Sequence, residues 1–238
     1  MHTTPLRPLT GDLSMPAEPA NLPTAPSATL PAVPAAYLAR LDGLLAGGQR
    51  RLIGLVGAPG AGKSTLAAVL NRALPEVSQV VPMDGFHLAN VELARLGRAG
   101  RKGAPDTFDS AGYVNLLRRL RDQAHDEIVY APEFRREIEE PIANAIPVLP
   151  QTRLVITEGN YLLLGSGHWA KVAGLLDEVW YVDVDNGLRN DRLVERHVQF
   201  GRARDAALAW VAGTDEPNAR LIEATRARAQ LVFRWSGD

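Results

Sequence analysis

Residues 51–65 restrict this chain to few architectures. Arg51-Leu52-Ile53-Gly54-Leu55-Val56 is a short apolar run, Gly57-Ala58-Pro59-Gly60-Ala61-Gly62-Lys63-Ser64-Thr65 is a glycine-rich turn, and a helical pattern begins at Leu66. A strand that feeds a helix through such a turn belongs to an alternating β/α fold. The glycines let backbone N–H groups converge on phosphate where Cβ atoms would obstruct them. The helix start adds the positive end of its dipole. Lys63 is spaced to reach β- and γ-phosphates, and Ser64 to bring a hydroxyl to Mg²⁺. Gly57 through Thr65 therefore reads as a nucleoside-triphosphate site.

Composition narrows the setting. A length of 238 residues suits one large domain, or one domain with an appendage, and 46% hydrophobic residues suffice for a full core. There is no cysteine, which excludes disulfides, thiolate metal sites and thiol catalysis. A net charge of −1 gives no general attraction to nucleic acid or to an anionic membrane. No apolar stretch approaches the ~18 residues of a membrane span, and the N-terminus lacks the order of a secretory signal. A cytoplasmic protein is the expectation. Residues 1–34 hold eight of the seventeen prolines, mixed with Ala, Thr and Ser. Such a segment cannot bury enough surface to offset its ordering entropy, so a mobile tail is expected ahead of a domain over 35–238.

Apolar spacing predicts a helix over Ala35–Leu45, stopped by Gly47-Gly48, and strands over 78–84, 153–158 and 178–184. Further helices are expected over 113–124 and from Asn186 to about Gly201. Residues 88–112 read as an irregular basic excursion, and 126–150 as hairpin-like strands. Strands alternating with helices imply a parallel sheet covered on both faces, with ligands at the carboxyl ends of the strands. The glycine-rich turn, Asp84 and Glu158 all fall at such ends, and so converge on one cleft.

Asp84 stands in Pro82-Met83-Asp84-Gly85-Phe86-His87, where Gly85 lets the chain turn away and leave the carboxylate facing the cleft. A carboxylate beside a bound γ-phosphate can orient an acceptor hydroxyl and take its proton. Glu158 follows an apolar strand, the position from which an acid supports Mg²⁺ or its waters. Arg189, Arg192 and Arg196 share one helix face and could close over the transferred group. His87 and His197 lack partners at metal-ligand spacing. No Asn-Lys-x-Asp for guanine is present.

These residues resemble the P-loop kinases of phosphoribulokinase, uridine kinase and bacterial pantothenate kinase type, from about Gln49 to about Ile222. The pattern is most similar to the branch labelled nucleoside or nucleotide kinase, or fructose transport system kinase. The likeness rests on four segments: the phosphate loop, Met83-Asp84-Gly85-Phe86-His87, Arg101-Lys102-Gly103-Ala104-Pro105-Asp106-Thr107-Phe108-Asp109, and Ile156-Thr157-Glu158-Gly159-Asn160-Tyr161-Leu162. It implies a three-layer P-loop NTPase fold, a central parallel sheet flanked by helices, with a lid. It further implies ATP and Mg²⁺ as cofactors, with Lys63 and Ser64 on phosphate and metal, and Glu158 as the acid of the third motif. Asp84 becomes the base, with His87, Arg101, Lys102, Asp106, Arg136 and Asn160 around the acceptor. Arg192 and Arg196 belong to the lid, and Thr214-Asp215-Glu216-Pro217-Asn218 is similar to a late loop beside adenine, with Asn218 on the base. One position departs from the branch: Arg135 stands where relatives carry an acid.

The expected activity is transfer of the ATP γ-phosphoryl group to an alcohol hydroxyl of a sugar, nucleoside or pantothenate-like molecule. The alternative is a regulatory nucleotide-binding protein without an acceptor. The partners implied are the small-molecule acceptor and, through exposed apolar faces, a second copy in a homodimer. Neither nucleic acid nor membrane is expected.

Overall fold

The structure, a computed structural model, describes residues 32–235. The tail expected over 1–34 lies outside the described residues except for its last three. Of those, Val33 packs against the core.

Five parallel strands form the central sheet. They are β1 (Arg51–Val56), β2 (Ser78–Pro82), β5 (Leu154–Gly159), β6 (Glu178–Val182) and β7 (Leu231–Phe233), in the order β2-β5-β1-β6-β7. The two remaining strands, β3 (Val129–Arg135) and β4 (Glu140–Val148), make a separate antiparallel hairpin. β1 shows why both faces must be covered. Leu52 and Val56 point into one core cluster and Ile53 and Leu55 into the other, all four fully buried. Such a strand reads as continuous apolar sequence because it has no wet face.

Helix α1 (Ala35–Leu45) and α2 (Lys63–Ala73) cover one face, through Leu41, Leu45, Leu66 and Leu70. The other face receives α4 (Ser110–Arg121), through Tyr113, Leu117 and Leu120, together with Trp169. The short α3 (Asn90–Arg95) lies in the basic excursion. After β6 come α5 (Asn186–Gln199), α6 (Arg204–Trp210), a π-helical turn over Val211–Asp215, and α7 (Glu216–Glu223). Among the described residues no helix is long and apolar enough to cross a membrane.

The expected sheet is present, with shifted limits. β2 stops at Pro82 rather than at Asp84, because the chain winds at once into a 3-10 turn over Met83–Phe86. Pro82 costs the sheet nothing there: β2 is an edge strand, so its missing N–H leaves no neighbour unpaired. α4 starts three residues earlier than its apolar spacing suggests, since the Asp109 carboxylate caps it by accepting from the Gly112 N–H at 2.8 Å. The segment 214–218, expected as a loop, is helical. It runs from the π-turn into α7, whose first turn tolerates Pro217 because that position needs no N–H.

Candidate active site

The carboxyl ends of β1, β2 and β5 open into a cavity of about 410 Å³, walled on its far sides by the β3–β4 hairpin, the basic excursion and α5. A volume of this order suits a small ligand. The glycine-rich turn forms its floor. Gly60 and Gly62 hold φ of +80° and +87°, a left-handed conformation that side chains with Cβ adopt at a cost. Gly62 is also the cap of α2. Among the described residues, the backbone N–H groups of Gly60, Gly62, Lys63 and Ser64 bond to no backbone carbonyl. They are free donors at a helix start, the condition that favours an anion.

Lys63 is buried, and its ammonium donates to the carbonyls of Gly57 at 3.0 Å and Ala58 at 3.1 Å and to Asn160 Oδ1 at 2.7 Å. Burial pushes its pKa down to about 8 against the opposing charges of Glu158 and Asp84. Ser64 donates its hydroxyl to Glu158 Oε1 at 2.9 Å. Glu158 is 5% exposed, and burial raises its carboxyl above the ordinary range, helped by the nearby charge of Asp84. Pro59, Gly60 and Asn160 line the cavity. Ala58 and Ala61 face a second, smaller cavity of about 160 Å³ behind the turn, and Thr65 is exposed outside both.

Asp84 sits on the 3-10 turn, with Arg136 Nη2 at 3.3 Å from its Oδ2. Burial would push this carboxyl up, but His87, Arg136, Lys63 and Arg196 outweigh it and hold the group below its usual range. His87 is itself held down by burial, so near neutral pH the permanent cations carry this effect. Its Nδ1 lies 2.8 Å from the Asp84 carbonyl, and its ring packs on Phe108 at 4.0 Å and Phe134 at 4.7 Å. Arg136 lies at the end of the hairpin strand β3 and Lys102 in the excursion, and both reach the cavity.

Gly85 serves Asp84 in a different way from the one its sequence context suggests. Its φ is not positive; it is needed because β3 comes too close for a side chain. A Cβ there would stand 2.2 Å from the Pro132 carbonyl oxygen. Gly85→Ala is therefore expected to push the hairpin off the turn and cost roughly 1–3 kcal/mol of stability. Chemical denaturation of the variant checks this, and an unchanged midpoint would contradict it.

The arginines of α5 separate. Arg196 lines the cavity, is half-buried, and its side chain has no hydrogen-bond or ion-pair partner among the described residues. Arg189 is 2% exposed and pairs with Glu216 at the second cavity, where its Nη1 has no partner. Arg192 is exposed and lies outside both cavities. Three positions on one helix face thus meet three environments: Glu216 at the start of α7 pairs with the first, solvent meets the second, and the cavity receives the third. Arg101 and Asp106 pair with each other, Nη2 to Oδ2 at 2.6 Å, away from the cavity wall. Asn218, on α7, lines the cavity and is buried. Arg135 does not line the cavity and pairs with Glu133 at 2.9 Å.

Sequence reasoning missed one wall of the cavity. His197 Nε2 lies 2.9 Å from Asp215 Oδ2, and Arg202 stacks 4.1 Å over the Trp210 ring, with Phe200 beside them. The only signal was their position directly after Arg196.

No protein-family model matches the chain. It is 34% identical to a Schizosaccharomyces pombe protein named provisionally as a uridine kinase, over 78% of this chain and 83% of the relative. A pantothenate kinase from Leifsonia xyli is 30% identical over 84% of this chain and 76% of its own length. A crystal structure from Silicibacter sp. TM1040, described provisionally as a fructose transport system kinase, superposes with a TM-score of 0.72 at 40% identity. That match covers 84% of this chain and 99% of the other. Relatives of this similarity and coverage, on a five-stranded parallel sheet with a phosphate loop at its centre, show that the chain belongs to the P-loop kinases of uridine kinase and pantothenate kinase type, a family of small-molecule kinases.

Proposed function

We propose that the protein is an ATP- and Mg²⁺-dependent kinase that phosphorylates an alcohol hydroxyl of a sugar, nucleoside or pantothenate-like molecule, acting in the cytoplasm. The observation that carries this reading is the meeting of Lys63, the Ser64–Glu158 pair and Asp84 in one cavity. The roles of Lys63, Ser64, Glu158, Asp84 and Arg196 below are part of the proposal.

Lys63 and the free N–H groups of the loop bind the triphosphate oxygens, and Arg196 faces the γ-phosphoryl from the opposite wall. The acceptor hydroxyl hydrogen-bonds to Asp84, which takes its proton as the acceptor oxygen bonds to phosphorus and the bond to the bridging oxygen of ADP breaks. Depression of its pKa keeps Asp84 ionised and ready as a base. Ser64 and Glu158 offer only hard oxygen donors, which fits Mg²⁺. No group of three acidic or histidine ligands exists among the described residues, so Ser64 and Glu158 would hold a cation without a third side chain of that kind. When bound, Mg²⁺ would supply charge neutralisation to the triphosphate.

The test is Mg-ATP consumption by the purified protein against a panel of sugars, nucleosides and pantothenate. Turnover that depends on one acceptor is expected. ATP binding without any acceptor-dependent turnover would move the protein to a regulatory role.

A further inference from the structure

Five lysine and arginine side chains line the cavity against four carboxylates. Lys63 and Arg196 serve the phosphate end, Glu158 accepts from the Ser64 hydroxyl, and Asp215 Oδ2 lies 2.9 Å from His197 Nε2. Asp84 faces the hydroxyl. What remains toward the hairpin is Lys102, with Arg136 already paired to Asp84 at 3.3 Å, and one further carboxylate, Glu139.

Lys102 is the most telling of these. Its ammonium donates to Asn90 Oδ1 at 2.7 Å and to the Glu139 carbonyl, both neutral acceptors. Among the described residues it has no carboxylate within ion-pair distance. The neighbouring Glu140 carboxylate is engaged by the Asn90 backbone N–H at 3.0 Å. An ammonium has three donors, so one of Lys102's is left for the cavity. Lys102 Nζ stands 5.0 Å from the centre of the Phe134 ring, and the Arg136 guanidinium 5.9 Å from the same centre. Arg136 spends one nitrogen on Asp84 at 3.3 Å, and its planar fork has others. Two cations thus flank one aromatic ring beside the proposed base.

Arg136 has Asp84 as its counter-charge, whereas a neutral polyol would leave the partly desolvated Lys102 ammonium with only the through-space pull of Glu139 and Glu140, a costly arrangement. We infer that the acceptor is itself an anion, a hydroxy-carboxylate or hydroxy-phosphate whose charged group lies against Phe134 between Lys102 and Arg136 while its hydroxyl meets Asp84. This rests on the kinase reading for which end of the cavity takes the acceptor. It goes beyond that reading by excluding uncharged sugars and nucleosides as the preferred substrates.

Matched probes that differ in charge test it: pantothenate against pantothenyl alcohol, glycerate against glycerol, and ribose 5-phosphate against ribose. Each is titrated calorimetrically into the protein loaded with Mg²⁺ and a non-hydrolysable ATP analogue. The charged member of at least one pair is expected to bind about ten-fold or more tighter than its neutral twin. The carboxylate and phosphate pairs distinguish the two sources of charge. In Lys102→Met the advantage should largely vanish, and in Lys102→Arg it should return. Affinity for the ATP analogue, measured in parallel, reports whether each variant is folded. Equal binding within every pair, absence of binding included, overturns the inference, as does an advantage that survives Lys102→Met. Turnover separates the two claims. A charged probe that binds but is never phosphorylated refutes the kinase reading alone. A neutral acceptor phosphorylated as well as its charged twin refutes this inference alone.

Discussion

Asp84→Asn is expected to lower the turnover number for acceptor phosphorylation by about 10²–10⁴-fold, the range lost when a positioned general base is removed. The amide keeps the size of the side chain and a contact for Arg136, which now lies 3.3 Å from Oδ2, but cannot take a proton. Affinity for Mg-ATP should stay nearly unchanged, because the loop N–H groups and Lys63 are untouched. The acid limb of the pH profile should not come from Asp84, whose pKa lies below the carboxylate range. In kcat/KM for Mg-ATP, which reports the free protein, it should come instead from Glu158, which burial raises. Turnover of Asp84→Asn equal to that of the parent enzyme would remove this residue from the mechanism.

Lys63→Met should be comparably damaging through binding and transfer together. The ammonium is the one cation inside the loop, and loss of a preorganised charge at a reacting phosphoryl group costs at least about 10²–10³-fold. Two loop carbonyls and Asn160 also lose their shared donor, so the variant should show a lowered melting temperature as well as reduced kcat/KM for ATP. A pH dependence follows from the same group. Its pKa is depressed to about 8 in the free protein, and its charged form binds triphosphate. As pH rises through about 8, kcat/KM for ATP should therefore fall. The kcat profile should stay flat further into alkali, because bound triphosphate favours the charged form. A kcat/KM profile level to pH 10 would contradict the assignment.

How much of this was legible in sequence depended on whether a residue's task is local. The phosphate loop, β1, β5 and β6 could be read because glycines, apolar runs and strand-end acids act within a few residues of one another. Asp84 was found for the same reason, though the turn that carries it was not, since apolar spacing cannot tell a strand's last residues from a 3-10 turn. The fates of Arg189, Arg192 and Arg196 were not legible. Helical spacing places them on one face, but which is buried depends on where α7 packs, a contact made 27 residues away from Arg189 to Glu216. Arg101 and Lys102 are neighbours in sequence, and only the fold shows that one satisfies Asp106 while the other enters the cavity. The strand β7 escaped notice because three residues carry too little pattern to distinguish a strand from a loop.

β2 and β5 lie side by side in the sheet, yet about seventy residues separate them, and these contain the hairpin, the excursion and α4. Asp84, His87, Lys102, Phe134 and Arg136 all belong to that insertion, whereas Lys63, Ser64 and Glu158 lie on the sheet or directly above it. On the proposed roles, the acceptor contacts and the base Asp84 therefore lie on one contiguous stretch of chain, and the groups that handle ATP lie outside it. Such a division allows one ATP-handling chassis to be refitted by exchange of a single contiguous cassette, and predicts that divergence in acceptor preference accumulates between β2 and β5 while the chassis stays fixed.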